Sequence, residues 1–426
     1  MPNDFLSSYQ FLNLPDHLQR QGVDFLLGRG RPPAGLERLA YVTDPLARLD
    51  LLAQALLTPY KDHARAGSRR EPGGLSELYR SQAFQAALED RKWQLEILGL
   101  LPGLPDLTIL PGYSFAMHFA FTLRTAYLSK DDVGLHILDN PVRKDKVFGL
   151  PMVGPASWKG SLRAALWQLG HRHDGKEHKN EQIQRLFGDT HDDDTGQSGC
   201  LTFYPTFFTR LGLEVINPHD RQSNAGKQPI YFECVPAGAQ GEFTLLYVPG
   251  NEVDRNQVLA DLRLAVEGIE AMLMRYGFGA KTSNGFGLAQ EAVSDGSLTL
   301  RIVGLHAPPP PPEVRSAPDH DLPRYLEAPG QLKSEFRTAD GSFRYRSETE
   351  LKAMKKADQQ LYDKARVWWE REGRTQAESA AKLKPKPPAA PALPTPTWPT
   401  WQFAAFDELL ALAERVAQQF SEGGVA

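Results

Sequence analysis

Between Phe115 and Arg124 apolar and polar positions alternate. Phe115, Met117, Phe119, Phe121 and Leu123 interleave with Ala116, His118, Ala120, Thr122 and Arg124. A period of two sustained over this length predicts a long strand with one buried face. A helix is expected from Ser157 to Gly170, then strand-like runs at Cys200–Thr209, Pro229–Val235 and Glu242–Val248. Asp254 suits the N-cap of a second helix, with Leu259, Leu262, Val266, Ile269 and Leu273 on one face. Runs at Phe286–Val293 and Leu298–Val303 complete the unit. The order is β-α-β-β-α-β with an additional strand. That is the α+β, ferredoxin-like (RRM-like) pattern, whose open sheet face is a common RNA platform.

The flanks read differently. Residues 1–110 are expected to be mostly helical, with leucine-rich runs at Leu46–Leu57 and Leu75–Leu101 and loops at Gly28–Pro33 and Arg65–Gly74. The ferredoxin-like domain is placed at 111–305. Fifteen of the 33 prolines fall between Pro308 and Pro399, so residues 306–400 read as stiff linkers. Between the proline clusters, Glu348–Arg371 carries Leu351, Met354, Leu361 and Trp368 near helical spacing. Residues 401–426 place Phe403, Phe406, Leu409, Leu410, Leu412 and Val416 on an amphipathic helix, either a docking element or a cap on the protein's own core.

Composition narrows the function. The 426 residues carry a net charge of -4, which excludes a uniformly basic nucleic-acid coat and makes any such surface local. Arg124–Arg172 supplies one, with eight Lys or Arg against four Asp. Two cysteines, Cys200 and Cys234, make neither a disulfide framework nor a four-cysteine zinc site. Met1-Pro2-Asn3-Asp4 lacks the basic flank and apolar run of a signal peptide, and no apolar stretch of about 18 residues is present. The expectation is a cytoplasmic protein without membrane contact.

Two segments carry candidate chemistry. Gly277-Phe278-Gly279-Ala280-Lys281-Thr282-Ser283-Asn284-Gly285-Phe286-Gly287 joins a helix to a strand. Its glycines let backbone N–H groups turn toward an anion, and Lys281, Thr282 and Ser283 add charge and hydroxyls. A nucleotide-triphosphate loop is excluded, because Ala280 precedes Lys281-Thr282 and the loop follows a helix rather than a strand. Pro155 to Arg163 opens the first helix, with Ser157 as the expected N-cap and Lys159 and Arg163 four apart on one face. Lys159, Arg163 and Lys281 are expected on one basic face, since separated positions do not track a single strand. His171, His173, His178, His191 and Asp192–Asp194 match no compact metal pattern and read as a solvated loop. His118 reads as a structural residue of an alternating strand.

The helix-opening Gly-x-x-Ser-x-Lys-Gly-x-x-Arg (Gly154–Arg163), followed by the late glycine loop, resembles the RAMP superfamily of RNA-binding CRISPR proteins. Asp139-Asn140-Pro141-Val142-Arg143-Lys144-Asp145 resembles a loop of the backbone subunit of type III effector complexes. The resemblance covers about residues 110–304, with Trp158 where the family more often has a smaller or aliphatic residue. It implies guide RNA and target RNA as ligands, other type III effector subunits as partners, and guide-RNA contact at Ser157, Lys159, Arg163, Gly277, Gly279, Lys281, Thr282, Ser283, Gly285 and Gly287. It also implies an extended hairpin at about Thr209–Gln228, with Arg221 and Lys227 as phosphate contacts. Asp139 takes the family's position for target-RNA cleavage with Mg²⁺ or another divalent cation; a turn former in a subunit without chemistry is the alternative. A CRISPR repeat-processing endoribonuclease is the rival within the superfamily, but it typically cuts with a histidine-centred site and lacks the Ser157–Arg163 signature.

Overall fold

In the computed structural model, residues 13–55, 58–66, 73–131, 136–172, 180–189, 196–217, 229–250, 254–302, 325–328, 331–338, 342–347, 350, 354, 356–370 and 398–422 are described. Arg221, Lys227, His173, His178, His191 and Asp192–Asp194 lie outside them, as do Arg69 and Arg70, Leu351, and the prolines from 308 to 312 and 385 to 396. The chain divides into two units, Met1–Pro308 with Pro396–Ala426, and Pro309–Thr395.

The first unit opens with helices α1 (Asp16–Leu26), α2 (Pro45–Ala55), α3 (Lys61–Ala66), α4 (Leu75–Arg80) and α5 (Gln82–Ile97). The alternating segment is strand β1 (Phe115–Leu123), with Phe115, Met117, Phe119, Phe121 and Leu123 all buried. After β2 (Met152–Val153), α6 (Pro155–Gln168) and α7 (Glu181–Phe187), the chain forms β3 (Leu201–Phe203), β4 (Thr206–Phe207), β5 (Gly212–Ile216), β6 (Ile230–Cys234) and β7 (Gln240–Tyr247). Then come α8 (Arg255–Ala271), β8 (Ala289–Leu300), β11 (Thr400–Ala405) and α10 (Phe406–Glu422). The architecture is mixed α+β around a five-stranded antiparallel sheet of order β11-β8-β1-β7-β3.

Aromatic side chains fill the space between this sheet and its helices. Phe119 stacks on its register partner Phe243 at 5.1 Å and meets Phe406 edge-on at 5.5 Å. Trp158 of α6 is fully buried, edge-on to Phe243 at 5.1 Å, and its indole N–H donates to Thr206 Oγ1 at 3.1 Å. Its size is therefore absorbed by the core, with the polar end satisfied. Gly268 of α8 permits close approach to α6, because a Cβ there would stand 2.8 Å from Leu162 and Leu166. Asp254 caps α8 as expected, accepting from Gln257 N–H at 2.8 Å. Inside α8 the fully buried Asp261 accepts both Arg185 Nε (2.8 Å) and Nη2 (2.7 Å), and the Tyr247 hydroxyl at 2.8 Å. Such satisfaction is what allows a carboxylate at this depth.

Two expectations are corrected. Phe286–Val293 and Leu298–Val303 were expected as separate strands, but β8 is continuous from Ala289 to Leu300. Asp295 adopts a positive φ of 54° and Gly296 leaves no room for a Cβ, which would sit 2.2 Å from the Phe403 carbonyl oxygen. The turn-like Asp-Gly pair makes a bulge within the strand rather than ending it. The tail is also not all helix: residues 400–405 pair with β8 as the edge strand β11, and only from Phe406 does the chain become helical. Trp401, Phe403, Phe406, Leu409 and Val416 all join the main hydrophobic core. Of the two readings of this segment, the cap on the protein's own core is the one observed.

The second unit has its own small core. A ribbon of β9 (Leu326–Ala328) and β10 (Gln331–Leu332) accompanies α9 (Lys356–Trp368). Phe336, Phe343, Tyr362, Ala365 and Trp369 are buried together. Among the described residues, no helix is long and apolar enough to cross a membrane.

Candidate nucleic-acid interface

The glycine loop uses its backbone mainly to hold itself. Gly277, Gly279, Gly285 and Gly287 all have positive φ, between 74° and 87°. Phe278 and Gly287 show why side chains are excluded: a Cβ on Gly287 would stand 2.0 Å from the Phe278 carbonyl oxygen. The N–H groups of Gly277, Phe278, Ala280 and Gly287 donate to Met272, Gly287, Leu128 and Ala126 carbonyls at 2.7–3.0 Å. Those of Asn284 and Gly285 close the turn onto Lys281 and Thr282. Most donors that the glycine pattern offered to an anion are therefore occupied by the fold. Lys281 is exposed, at a left-handed φ of 60°, with Nζ 5.7 Å from the Phe232 ring centroid.

The loop nevertheless faces the first helix across a cleft of about 440 Å³. Ser157, Gly160 and Ser161 of α6 line one side and Gly277, Gly279 and Thr282 the other. The two motifs are thus brought together. Lys159, Arg163, Lys281, Ser283, Gly285 and Gly287 are not among the lining residues. Helical geometry gives the reason for the first two. Ser157, Ser161, Ala164 and Gln168 recur along one stripe and line the cleft, whereas Lys159 and Arg163 start roughly 200° further round. Ser157 is not the N-cap: Pro155 stands in the first turn and Gly154 is the cap, so the helix begins earlier than the serine suggested.

The positive charge lining the cleft comes from Lys130 and Arg143, neither of which the sequence singled out as an RNA contact, although Arg143 lies within the Asp139–Asp145 motif. Arg143 makes no ion pair with any described residue. Its backbone is fixed, with N–H donating to Ser129 Oγ at 2.8 Å and C=O accepting from Met152 N–H at 2.9 Å. Its guanidinium lies against Gly154, where a Cβ would be 3.2 Å from Cζ. The basic count between Arg124 and Arg172 contained this signal without ranking its members.

The loop from Asp139 to Asp145 is braced from beneath. Glu233 of β6, 3% exposed, accepts from Tyr79 Oη at 2.5 Å, from Val142 N–H at 3.0 Å and from Lys144 Nζ. Burial, and secondarily the Glu233 charge, push the Tyr79 hydroxyl well above its ordinary value. Asp145 accepts from Val147 and Phe148 N–H at 2.9 and 2.7 Å, which makes it a turn former. The Asp139 side chain is 67% exposed and pairs with Arg65 Nη2 at 2.7 Å and Lys61 Nζ at 3.3 Å, both on α3. No group of three His, Cys, Asp or Glu suited to a metal occurs among the described residues. One carboxylate held by two cations does not fit a resident divalent cation, which favours several oxygen ligands.

His118 points away from the cleft by strand alternation, since it is offset by one from the core-facing Phe119 and Phe121. Its Nδ1 lies 2.8 Å from Thr244 Oγ1, and burial lowers its pKa against the opposing pull of Glu242 and Asp295.

Comparison with known proteins places these features in a family. No curated protein sequence matches the chain. Among solved structures, a chain of the type III-B Cmr-beta complex bound to cognate target RNA is 15% identical, with TM-score 0.36, covering 65% of this chain and 98% of that one. A chain of the Csm3-Csm4 subcomplex of the type III-A CRISPR-Cas interference complex is 17% identical, with TM-score 0.28, covering 44% and 79%. A chain of a type IV-B CRISPR complex is 16% identical, with TM-score 0.30, covering 47% and 96%. The model of the RAMP superfamily matches residues 73–290, from just before α4 to the start of β8. That span is more than half of the sequence and holds both motifs, the cleft between them and the braced Asp139 loop: the chain belongs to the RAMP superfamily.

Proposed function

We propose that the chain is an RNA-holding subunit of a type III CRISPR effector complex, with guide RNA and target RNA as ligands and neighbouring effector subunits as partners. The observation that carries this reading is the cleft uniting the start of α6 with the glycine loop, edged by Lys130 and an Arg143 without an ion-pair partner among the described residues. Hydroxyls of Ser129, Ser157, Ser161 and Thr282 line the same space, a donor set that suits a phosphodiester backbone and not a base edge. The order β8-β1-β7-β3, with α6 and α8 as crossovers, supports a ferredoxin-like core beneath it. Narrowing from the superfamily to type III rests on the Asp139–Asp145 loop.

Fluorescence anisotropy with single-stranded RNA tests the reading. Arg143→Ala with Lys130→Ala is expected to weaken binding about tenfold or more, irrespective of base sequence, and to lower the salt slope by about 0.7 for each lost phosphate contact. Unchanged affinity and slope would remove the cleft from RNA binding.

A second reading, metal-dependent cleavage of target RNA at Asp139, is favoured by the exposure of that carboxylate. Its pairing with Lys61 and Arg65 favours a positioning role without chemistry. Asp139→Ala separates the two when the assembled complex is given target RNA and Mg²⁺. Cutting that persists leaves Asp139 as a loop residue; cutting that stops with RNA binding intact supports catalysis.

A further inference from the structure

A second cavity, of about 440 Å³, also borders the Asp139–Asp145 loop. Arg143 lines the α6 cleft, while the next residues, Lys144 and Asp145, line this cavity. Another wall is α2, whose Leu46, Leu49, Asp50 and Ala53 follow the i, i+3, i+4, i+7 spacing of one helix face. Leu75, Ile137 and Leu138 line it as well. A carboxylate therefore stands in the middle of an apolar stripe that faces the cavity.

The fold itself satisfies the neighbouring polar groups. Lys144 is paired with Glu233, and Arg91 is paired with Asp44 at 2.6 Å and donates to the Phe148 carbonyl at 3.1 Å. Asp145 accepts from the backbone of its own turn, and Asp131 accepts from Lys144 N–H. Asp50 differs: it accepts no hydrogen bond and makes no ion pair with any described residue. Burial, aided by Asp44, lifts its pKa above the ordinary carboxylate value against the pull of Lys144, His136 and Arg91. Its two oxygens are thus acceptors that the protein leaves without a donor among the described residues.

Carboxylates outnumber Lys and Arg four to three among the described lining residues, so the cavity is not built for a phosphate. Its apolar wall suits a neutral, flat body, and an ionised carboxylate needs N–H donors facing it. Guanine is the RNA base that presents two such donors side by side, at N1 and at the 2-amino group, and apolar side chains cover the faces of unstacked bases. We propose that this cavity is a guanine-binding site, in which Asp50 accepts from N1–H and the 2-amino group of a base carried by an RNA strand or by a free guanine nucleotide. The choice of a base rests on reading the chain as an RNA-holding subunit, since the shared loop puts a strand in the α6 cleft next to the cavity.

Fluorescence anisotropy of the intact chain tests it with two RNAs of equal length, one all uridine and one with a single central guanosine. The guanosine is expected to tighten binding at least about fivefold. Inosine in its place, which lacks the 2-amino donor, should lose most of that gain, and Asp50→Asn should lose all of it. Guanosine monophosphate, followed by hydrogen exchange across residues 45–55 and 136–149, separates the two sources. Slowing that Asp50→Asn abolishes assigns a site open to the free nucleotide; guanosine preference without slowing assigns the strand. Binding of both RNAs with no gain from guanosine and no slowing by the nucleotide would overturn the proposal and leave the RNA reading standing. A gain that survives Asp50→Asn would do the same. Failure of both RNAs to bind would remove the RNA reading instead, and the cavity then stands or falls on slowing by the nucleotide alone.

Discussion

Glu233 braces the Asp139–Asp145 loop from beneath. Its three donors come from α4, from the loop backbone at Val142 and from Lys144. Removing one member of a buried pair leaves the other charged and uncompensated. Glu233→Ala is therefore expected to cost about 3 kcal/mol, the lower end for such a loss because Lys144 keeps some solvent contact. Urea denaturation measures this, and a change below about 1 kcal/mol would mean the network is not a structural brace. Alkaline pH reads the same contact from the other partner. Burial and then Glu233 raise the Tyr79 pKa above its ordinary 10.0, and burial and then Asp261 raise that of Tyr247. Both groups hold their protons in the folded state while the unfolded chain releases them, so stability is complete below about pH 10 and falls as pH rises beyond it. Between about pH 9 and about pH 11 the urea midpoint should drop, and drop less steeply in Tyr79→Phe. An equal slope in both proteins would exclude Tyr79 as a source. None of this was visible in the sequence, because Tyr79 and Glu233 are brought together by tertiary packing alone. The spacing of Lys159 and Arg163 rightly put them on one face of a helix but carried no information about which face meets the glycine loop.

At the scale of elements, alternation and amphipathic spacing were legible wherever the fold obeyed one rule at a time. β1 and α8 form where their patterns placed them, with the alternating Phe115 to Leu123 side chains and the stripe of Leu259, Leu262, Val266 and Ile269 all buried. β8 and the tail did not, because Gly296 serves a bulge against β11 and Phe403 packs from a strand that exists only beside β8. The glycine loop shows the same division. Its composition signalled an anion loop, yet its geometry distinguishes glycines that the fold requires from one it merely tolerates. Gly285 has φ of 82° with nothing within 4 Å of a Cβ, whereas Gly287 has φ of 74° and a carbonyl oxygen 2.0 Å away. Gly285→Ala is expected to cost about 1 kcal/mol from left-handed strain alone, and Gly287→Ala more than about 3 kcal/mol. Thermal unfolding of the two variants compares them directly. Equal losses would show that the loop relaxes around a Cβ and that close approach does not dictate glycine at Gly287.

For the whole molecule, the decisive fact is where the second unit is inserted. β8 and β11 are antiparallel neighbours, and Thr299 pairs with Thr400, their Oγ1 atoms 2.8 Å apart. Leu300 N–H donates to Pro399 O at 3.2 Å, and the Arg301 guanidinium lies 5.4 Å from the Trp398 ring centroid. The two chain ends meet as the arms of a hairpin, so the residues between them occupy the position of a hairpin loop. The prolines that suggested linkers marked this insertion, but sequence order hid that the strands on either side are partners. Replacing residues 303–397 by a short Asn-Gly-containing turn should leave the sheet, its helices and the α6 cleft folded. Shortening a loop by several doublings removes about 0.6 kcal/mol of closure cost for each, so the excised chain is expected to melt no lower than the full one. Thermal unfolding followed by RNA anisotropy checks both halves. A lower melting temperature would show that the inserted unit stabilises the sheet. Unchanged melting with weakened RNA binding would assign the inserted unit a share of the RNA surface instead.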